Sequence, residues 1–259
     1  RKVFPDATIS VLTTPQGAEL LASCPETHPY LDKILSFDKR GSQSGLRGLR
    51  EMSLKLANEG FDAVFSLHKS WRTALMLWWA GIPRRFGFCE AQGTMLYTST
   101  ASRSDLLHEV DRNLAILRTV GYEPRAFQDK MFVGVSQSHI SEAQRLLAPI
   151  ASRPVVALAP GSAWRTKRWS ESGFRELAQM LVQAGKSVVI LGGPDEMAVG
   201  GYIGAGLNAQ VLDLTGKISI LTSAAIISRC SVLVANDSLA LHLASAVGVP
   251  VVALFCSTV

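Results

Sequence analysis

An apolar run, Val232-Leu233-Val234-Ala235, ends at Asn236-Asp237-Ser238 and gives way to Leu239-Ala240-Leu241-His242-Leu243-Ala244. The first part reads as a buried strand and the second as a helix. Ser238 and His242 are four residues apart, so they share one helix face. A helix start offers N–H groups without intrahelical partners, and here a hydroxyl and an imidazole point the same way. That chemistry suits an anion, read here as a nucleotide diphosphate. A plainer reading makes Asp237 a helix cap and gives His242 a local partner.

Two further loops repeat the arrangement. Val155–Ala159 runs into Pro160-Gly161-Ser162, followed by Lys167-Arg168. Gly161 lets backbone approach a ligand, and Ser162 and Lys167 could touch phosphate. The same loop also reads as an ordinary turn with solvated basic residues. Leu191-Gly192-Gly193-Pro194-Asp195-Glu196 again follows a strand. Asp195 is assigned there to the helix cap and Glu196 to ribose or adenine, against a reading in which both serve only the helix start. Ligands of open α/β sheets bind at the carboxyl ends of strands, where all three loops sit. No GxGxxG fingerprint is present, which disfavours a nicotinamide cofactor.

The first half holds a different chemistry. Between Ser66 and Phe88 there are four Lys/Arg residues and no acidic one, and three of the chain's five tryptophans. Lys69 and Arg72 sit at a strand end and a helix start and suit an anionic acceptor. The Trp71-to-Trp79 helix reads equally as core or as a membrane contact. No metal-ligand spacing and no DxD occurs. A hydrolase triad of Ser162, Asp237 and His242 fails for want of a G-x-S-x-G elbow.

These groups need a scaffold. Short apolar runs at Thr8–Thr13, Lys33–Phe37, Asp62–Leu67, Val155–Ala159, Ser187–Leu191, Val211–Leu214, Val232–Ala235 and Val251–Phe255 alternate with helical spacing at 15–23, 45–58, 70–80, 107–120, 140–150, 171–184, 195–205, 219–228 and 238–247. Alternation of this kind predicts parallel, doubly wound sheets. Two such runs predict two Rossmann-like domains, 1–136 and 137–259, facing a cleft. Both ends read as cut, with a first strand expected before Arg1 and a covering segment after Val259.

Composition bounds the rest. With 47% apolar and 18% charged residues the chain is globular, and no apolar run reaches the ~20 residues of a membrane span. The four cysteines form no CxxC pair and read as free thiols of a cytoplasmic protein. A net charge of +5 fits a phosphate-bearing substrate or an anionic membrane surface.

The motifs Ala159-Pro160-Gly161-Ser162 with Thr166-Lys167-Arg168-Trp169, Gly192-Gly193-Pro194-Asp195-Glu196, and Asn236-Asp237-Ser238 with Leu241-His242-Leu243-Ala244 resemble glycosyltransferase family 9, the lipopolysaccharide heptosyltransferases. The resemblance covers essentially the whole chain and is strongest over residues 155–255. It implies the GT-B fold and an inverting, metal-independent transfer of heptose from ADP-L-glycero-D-manno-heptose to the lipopolysaccharide inner core, with no cofactor. It implies donor contacts from Ser162, Lys167, Glu196, Asp237, Ser238, Leu239 and His242, and an acceptor contact from Lys69. Lys167 would also stabilise the leaving group. Leu239 stands where the family often has glycine. The family's proposed base is an aspartate in the loop after the first strand, which would precede Arg1. The implied partners are the ADP-heptose donor and an anionic glycolipid acceptor of the lipid A–Kdo type, with the cytoplasmic membrane face and without nucleic acid. Two rival classes stay open: a transferase or epimerase using a UDP- or GDP-sugar on the same fold, and a non-catalytic nucleotide-sugar-binding relative.

Overall fold

The computed structural model describes residues 3–22, 30–39, 41–103, 108–124, 131–207 and 210–256. The chain divides into two compact units, Arg1–Ala18 with Tyr30–Asp129, and Glu19–Pro29 with Lys130–Val259.

The elements up to residue 120 are β1 (Ser10–Thr13), α1 (Pro15–Ala22), β2 (Lys33–Ser36), α2 (Gly45–Asn58), β3 (Ala63–Phe65), α3 (Trp71–Trp79), β4 (Arg84–Phe88), β5 (Ser99–Ala101) and α4 (Glu109–Leu114). Every pairing is parallel. β1 lies beside β2 with Val11 opposite Ile34, and β3, β4 and β5 form a second sheet in that order. Helix α2 turns Leu49, Met52 and Leu56 inward at helical spacing, and they meet Ala74 and Leu77 of α3. Each such fully buried side chain contributes roughly 2 kcal/mol. Leu46 belongs to the same apolar series in sequence but is 65% exposed in the first turn. The helix predicted over 107–120 is shorter and changes type. Its α-helical part ends at Leu114, and Ala115–Val120 tightens into a 3-10 turn that tucks Ala115 and Ile116 beneath Phe86 and Phe88.

The second unit is a five-stranded parallel sheet covered on both faces. Its elements are α5 (Gln137–Leu147), β6 (Val155–Ala159), α6 (Glu171–Gln183), β7 (Ser187–Ile190), α7 (Met197–Gly204), β8 (Val211–Asp213), α8 (Ile220–Ile227), β9 (Val232–Asn236), α9 (Leu239–Val247) and β10 (Val251–Leu254). The strand order is β10-β9-β6-β7-β8. Period-two alternation decides which layer each residue joins. Ala157, Ala159, Leu233 and Ala235 face α5, α8 and α9, where Ala143, Leu147, Ala224 and Ala244 pack. Val156, Leu158, Val188 and Ile190 face Phe174 and Ala178 of α6 and Ile203 of α7. Burial on both faces explains why β6 reads as an unbroken apolar run.

The helix predicted over 195–205 begins as a 3-10 turn, Pro194–Glu196, before α7. Proline has no N–H to lose in a first turn, which suits it to that start. Cys24 lies outside the described residues, and Cys89, Cys230 and Cys256 are free thiols. Burial pushes the Cys230 thiol up to about 12, so it packs rather than reacts. Among the described residues no helix is long and apolar enough to cross a membrane.

Candidate active site

In the second unit β6 pairs with β7 on one side and β9 on the other, so the chain reverses its direction of winding between β6 and β9. Crevices at such a reversal are where open α/β sheets bind ligands. The loops after β6 and β9 meet there, and a buried asparagine joins them. Asn236, the last residue of β9, is fully buried. Its Nδ2 donates to the Pro160 carbonyl at 2.7 Å, and its Oδ1 accepts the Trp169 N–H at 3.0 Å. One side chain thereby holds both ends of the loop Pro160–Trp169.

Two more contacts fix the middle of that loop. Ser162 is 4% exposed, and its Oγ donates to the Asp237 carbonyl at 2.9 Å. Arg168 Nε donates to the Ser162 carbonyl at 2.8 Å. The 3-10 turn Arg165–Lys167 then presents Lys167, whose ammonium pairs with the Asp237 carboxylate. Both members of that pair keep about a third of their side-chain surface in solvent (29% and 34%), so they can reach a ligand.

Ser238 follows in extended backbone at the N-cap of α9, and its side chain makes no capping hydrogen bond. The hydroxyl and the first-turn N–H groups of α9 remain available to an anion. Leu239 and His242 lie in the first turn of α9, both exposed.

Glu196 enters from the neighbouring strand. Its carboxylate lies over Gly161, where a Cβ would come within 1.7 Å of Oε1. Its Oε2 accepts the Gly193 N–H at 2.8 Å. The cap assigned in sequence to Asp195 is therefore made by Glu196. The 3-10 turn places Glu196 third after Gly193, the spacing at which a carboxylate reaches back to a cap N–H. Ser162, Lys167, Glu196, Asp237, Ser238, Leu239 and His242 all sit on the loops and first helical turns that follow the carboxyl ends of β6, β7 and β9.

The first unit carries its own cavity, about 220 Å³, lined by Lys39, His68, Arg72, Thr73, Phe37 and Leu49 among others. Arg72 Nη2 donates to the Gly45 carbonyl at 3.1 Å, tying α3 to the start of α2. Lys69 is exposed on the loop before α3 and is not among the cavity's lining residues; its carbonyl accepts the Gln92 N–H at 2.9 Å. The cavity thus groups Arg72 with Lys39 and His68.

His68 is exposed and also lines the cavity. Lys39 Nζ lies 3.3 Å from its Nε2. An ammonium only donates, so Nε2 accepts, and Nδ1 carries the hydrogen toward Thr73 Oγ1 at 3.0 Å. The Ser70 N–H, 3.4 Å from Nδ1, then faces that hydrogen and contributes little. Partial desolvation first, and the Lys39 charge second, hold the imidazole below its ordinary 6.5. The unfolded chain therefore binds a proton that the folded chain resists. Stability contributed by neutral His68 is present above about 6.5 and is lost as pH falls through the lowered value. In NMR titration the His68 midpoint should lie below 6.5, and Lys39→Ala should raise it only part of the way, since desolvation is the larger cause. A native midpoint at or above 6.5 would refute this geometry.

Residues 49–259 match the family model of glycosyltransferase family 9 (heptosyltransferase). The chain belongs to that family. It is a glycosyltransferase, with the GT-B architecture of the family's solved members. It is similar to lipopolysaccharide heptosyltransferase 2 of Escherichia coli K12, 27% identical over 267 aligned positions that cover 97% of this chain and 75% of the relative. Against lipooligosaccharide heptosyltransferase 2 of Haemophilus influenzae it is 26% identical, covering 98% and 76%. The structure of E. coli ADP-heptose lipopolysaccharide heptosyltransferase II superposes with a TM-score of 0.80 at 25% identity, over 98% of this chain and 77% of that one. A family 9 glycosyltransferase from Veillonella parvula shares the fold, with a TM-score of 0.87 at 23% identity, over 100% and 75%.

Within this family 9 glycosyltransferase, four residues matter that sequence reasoning did not assign. Asn236 had a signal: a polar amide closing an otherwise apolar strand. Arg168 was visible only as one of two adjacent basic residues, with nothing to show that it binds the Ser162 carbonyl. Lys39 and His68 are 29 residues apart and meet only through the fold.

Proposed function

We propose that this chain transfers heptose from ADP-L-glycero-D-manno-heptose to the inner core of lipopolysaccharide, with inversion at the anomeric carbon and without a metal. The convergence of three strand-end loops on one winding reversal, with Lys167 and Asp237 at its centre and Glu196 beside Gly161, is the observation that carries this reading. In it, Lys167, Ser238 and the α9 N-terminus face the diphosphate. Asp237 positions Lys167 and the helix start, and Ser162 holds the loop through the Asp237 carbonyl. Glu196 holds the adenosine, and Leu239 and His242 line the sugar side. An acceptor hydroxyl attacks the anomeric carbon as the bond to the β-phosphate oxygen breaks. Its proton passes to a general base, an aspartate by the family resemblance. Negative charge grows on the departing ADP, where fixed positive groups act most strongly.

Lys69 and Arg72 take the acceptor, a lipid A–Kdo-type glycolipid whose carboxylates and phosphates match guanidinium and ammonium groups. The reaction is placed at the cytoplasmic membrane face because that acceptor is lipid-anchored. Calorimetric titration with ADP, UDP and GDP tests the donor assignment: clear preference for ADP is expected, and preference for UDP would overturn it. Gly161→Ala gives a sharper reading. The new Cβ must displace the Glu196 carboxylate, so ADP should bind on the order of tenfold more weakly, the worth of about one charged hydrogen bond. Unchanged ADP affinity would remove Glu196 from the nucleoside site.

A further inference from the structure

We propose that the outward face of α3 is a membrane-docking surface that settles into the interfacial region of an anionic lipid bilayer. It deepens the proposed function by locating where the enzyme meets the membrane that holds its acceptor, and it rests on that reading for its biological purpose only. Trp71, Trp78 and Trp79 follow the spacing i, i+7, i+8 and share one side of the helix, with Leu75 between them partly buried against the core. The opposite side is occupied: Ala74, Met76 and Leu77 are buried in the core of the first unit. A surface helix ordinarily turns polar residues outward. Here Trp71, Trp78 and Trp79 are 47%, 50% and 44% exposed.

The patch continues beyond the helix on a rigid support. The 3-10 turn Thr94–Leu96 carries Met95, 88% exposed. Gly93 presses that turn against α3, since a Cβ there would lie 2.5 Å from Ala74 Cβ and 3.2 Å from Trp71 Cα. Arg85 Nε holds it from beneath through the Leu96 carbonyl at 2.8 Å. Met95 is therefore presented by a fixed turn.

Residue type and charge decide the occupant. Tryptophan prefers the boundary between hydrocarbon and water, where its ring is apolar and its N–H stays wet. The sequence from Ala63 to Cys89 contains Lys69, Arg72, Arg84 and Arg85 and no Asp or Glu. Arg84 is exposed at the start of β4, five residues after Trp79. Exposed Lys69 and Arg84 are the cations free to meet headgroups, since Arg72 and Arg85 are held by the Gly45 and Leu96 carbonyls and exposed Asp62 lies beside Arg84. Aromatics bordered by such cations complement an anionic headgroup layer.

The test is co-sedimentation of the intact chain with acceptor-free vesicles, either pure phosphatidylcholine or containing phosphatidylglycerol. Binding should rise about fivefold per basic residue engaged as anionic lipid is added. The double variant Trp78→Ser/Trp79→Ser should reduce the partition coefficient by about tenfold or more. A milder pair, Trp78→Phe/Trp79→Phe, keeps the packing and should lose much of the fluorescence quenching by brominated lipids, Trp71 keeping the remainder, while still sedimenting. Absence of wild-type binding to anionic vesicles, or equal binding and quenching in native and variant chains, would overturn the proposal. Dimerisation through this face, read as a concentration-dependent mass that the serine pair abolishes, would also overturn it. Transfer to a deacylated, water-soluble acceptor reports separately on the proposed reaction. It should be unchanged in the tryptophan variants, and its failure in the native chain would indict the reaction and leave the vesicle result standing.

Discussion

Lys167→Ala should lower kcat by about two orders of magnitude or more while the chain stays folded. The two halves of that expectation have separate causes. Lys167 pairs with Asp237 in a place where both side chains are about a third exposed (29% and 34%). Partly solvated ion pairs stabilise by only ~0–1 kcal/mol, and Asp237 can be rehydrated when the ammonium leaves. The fold is held by other contacts: the Asn236 amide, the Ser162 hydroxyl and the Arg168 guanidinium. Catalysis has no such reserve. If the Lys167 ammonium faces the β-phosphate, its interaction strengthens as the glycosidic bond breaks and charge moves onto ADP. The loss should therefore fall mainly on kcat, with a smaller rise in KM. Lys167→Arg keeps the charge in a wider planar head and should recover part of the rate. Steady-state kinetics with ADP-heptose decides the matter. An unchanged kcat would remove Lys167 from the reaction, and a rise confined to KM would reduce it to ground-state binding.

How much of this was legible in sequence depends on range. The parallel sheet of the second unit was legible because β6, β7 and β9 are short apolar runs set between helices with 3.6-residue spacing. Both are local signals. The strand order was not. Nothing in Val155–Ala159 says that it will lie between β7 and β9, yet that placement creates the crevice. The site divides the same way. Asp237, Ser238 and His242 announce themselves by spacing within one turn of helix. The Lys39–His68–Arg72 cavity joins Lys39 to a stretch 29 residues further on, and no local pattern links the two. Asn236 was visible but given no role, and the helix cap was assigned to Asp195 where Glu196 makes it. An asparagine at a strand end reads as a turn former, and Asp195 reads as a better cap than its neighbour until the 3-10 turn is known. The tryptophans of α3 left core and surface equally open. The structure buries Ala74 and Leu77 and leaves Trp71, Trp78 and Trp79 outside, because small and aliphatic residues fit against α2.

Asn236→Leu should cost roughly 2–6 kcal/mol of unfolding free energy, the largest stability effect expected at the site. The leucine fills similar volume but answers neither polar neighbour. The Pro160 carbonyl loses its donor at 2.7 Å and the Trp169 N–H loses its acceptor at 3.0 Å, both around a side chain with no access to water. Stranding two buried groups, each at about 1–3 kcal/mol, gives that range. Asn236→Asp separates hydrogen bonding from packing. One carboxyl oxygen can still accept the Trp169 N–H, but the other now faces the Pro160 carbonyl and must carry a proton to donate to it. Folding then favours the neutral acid, so its folded pKa lies above the unfolded value of about 3.9. Between those two values the folded state holds the proton that the unfolded state has released. The variant's stability relative to the native chain should consequently fall as pH rises above about 4. Urea unfolding of the native, leucine and aspartate chains across that range measures both effects. A leucine cost below about 1 kcal/mol, or an aspartate chain that tracks the native one at every pH, would show that Asn236 does not tie the loops after β6 and β9 together.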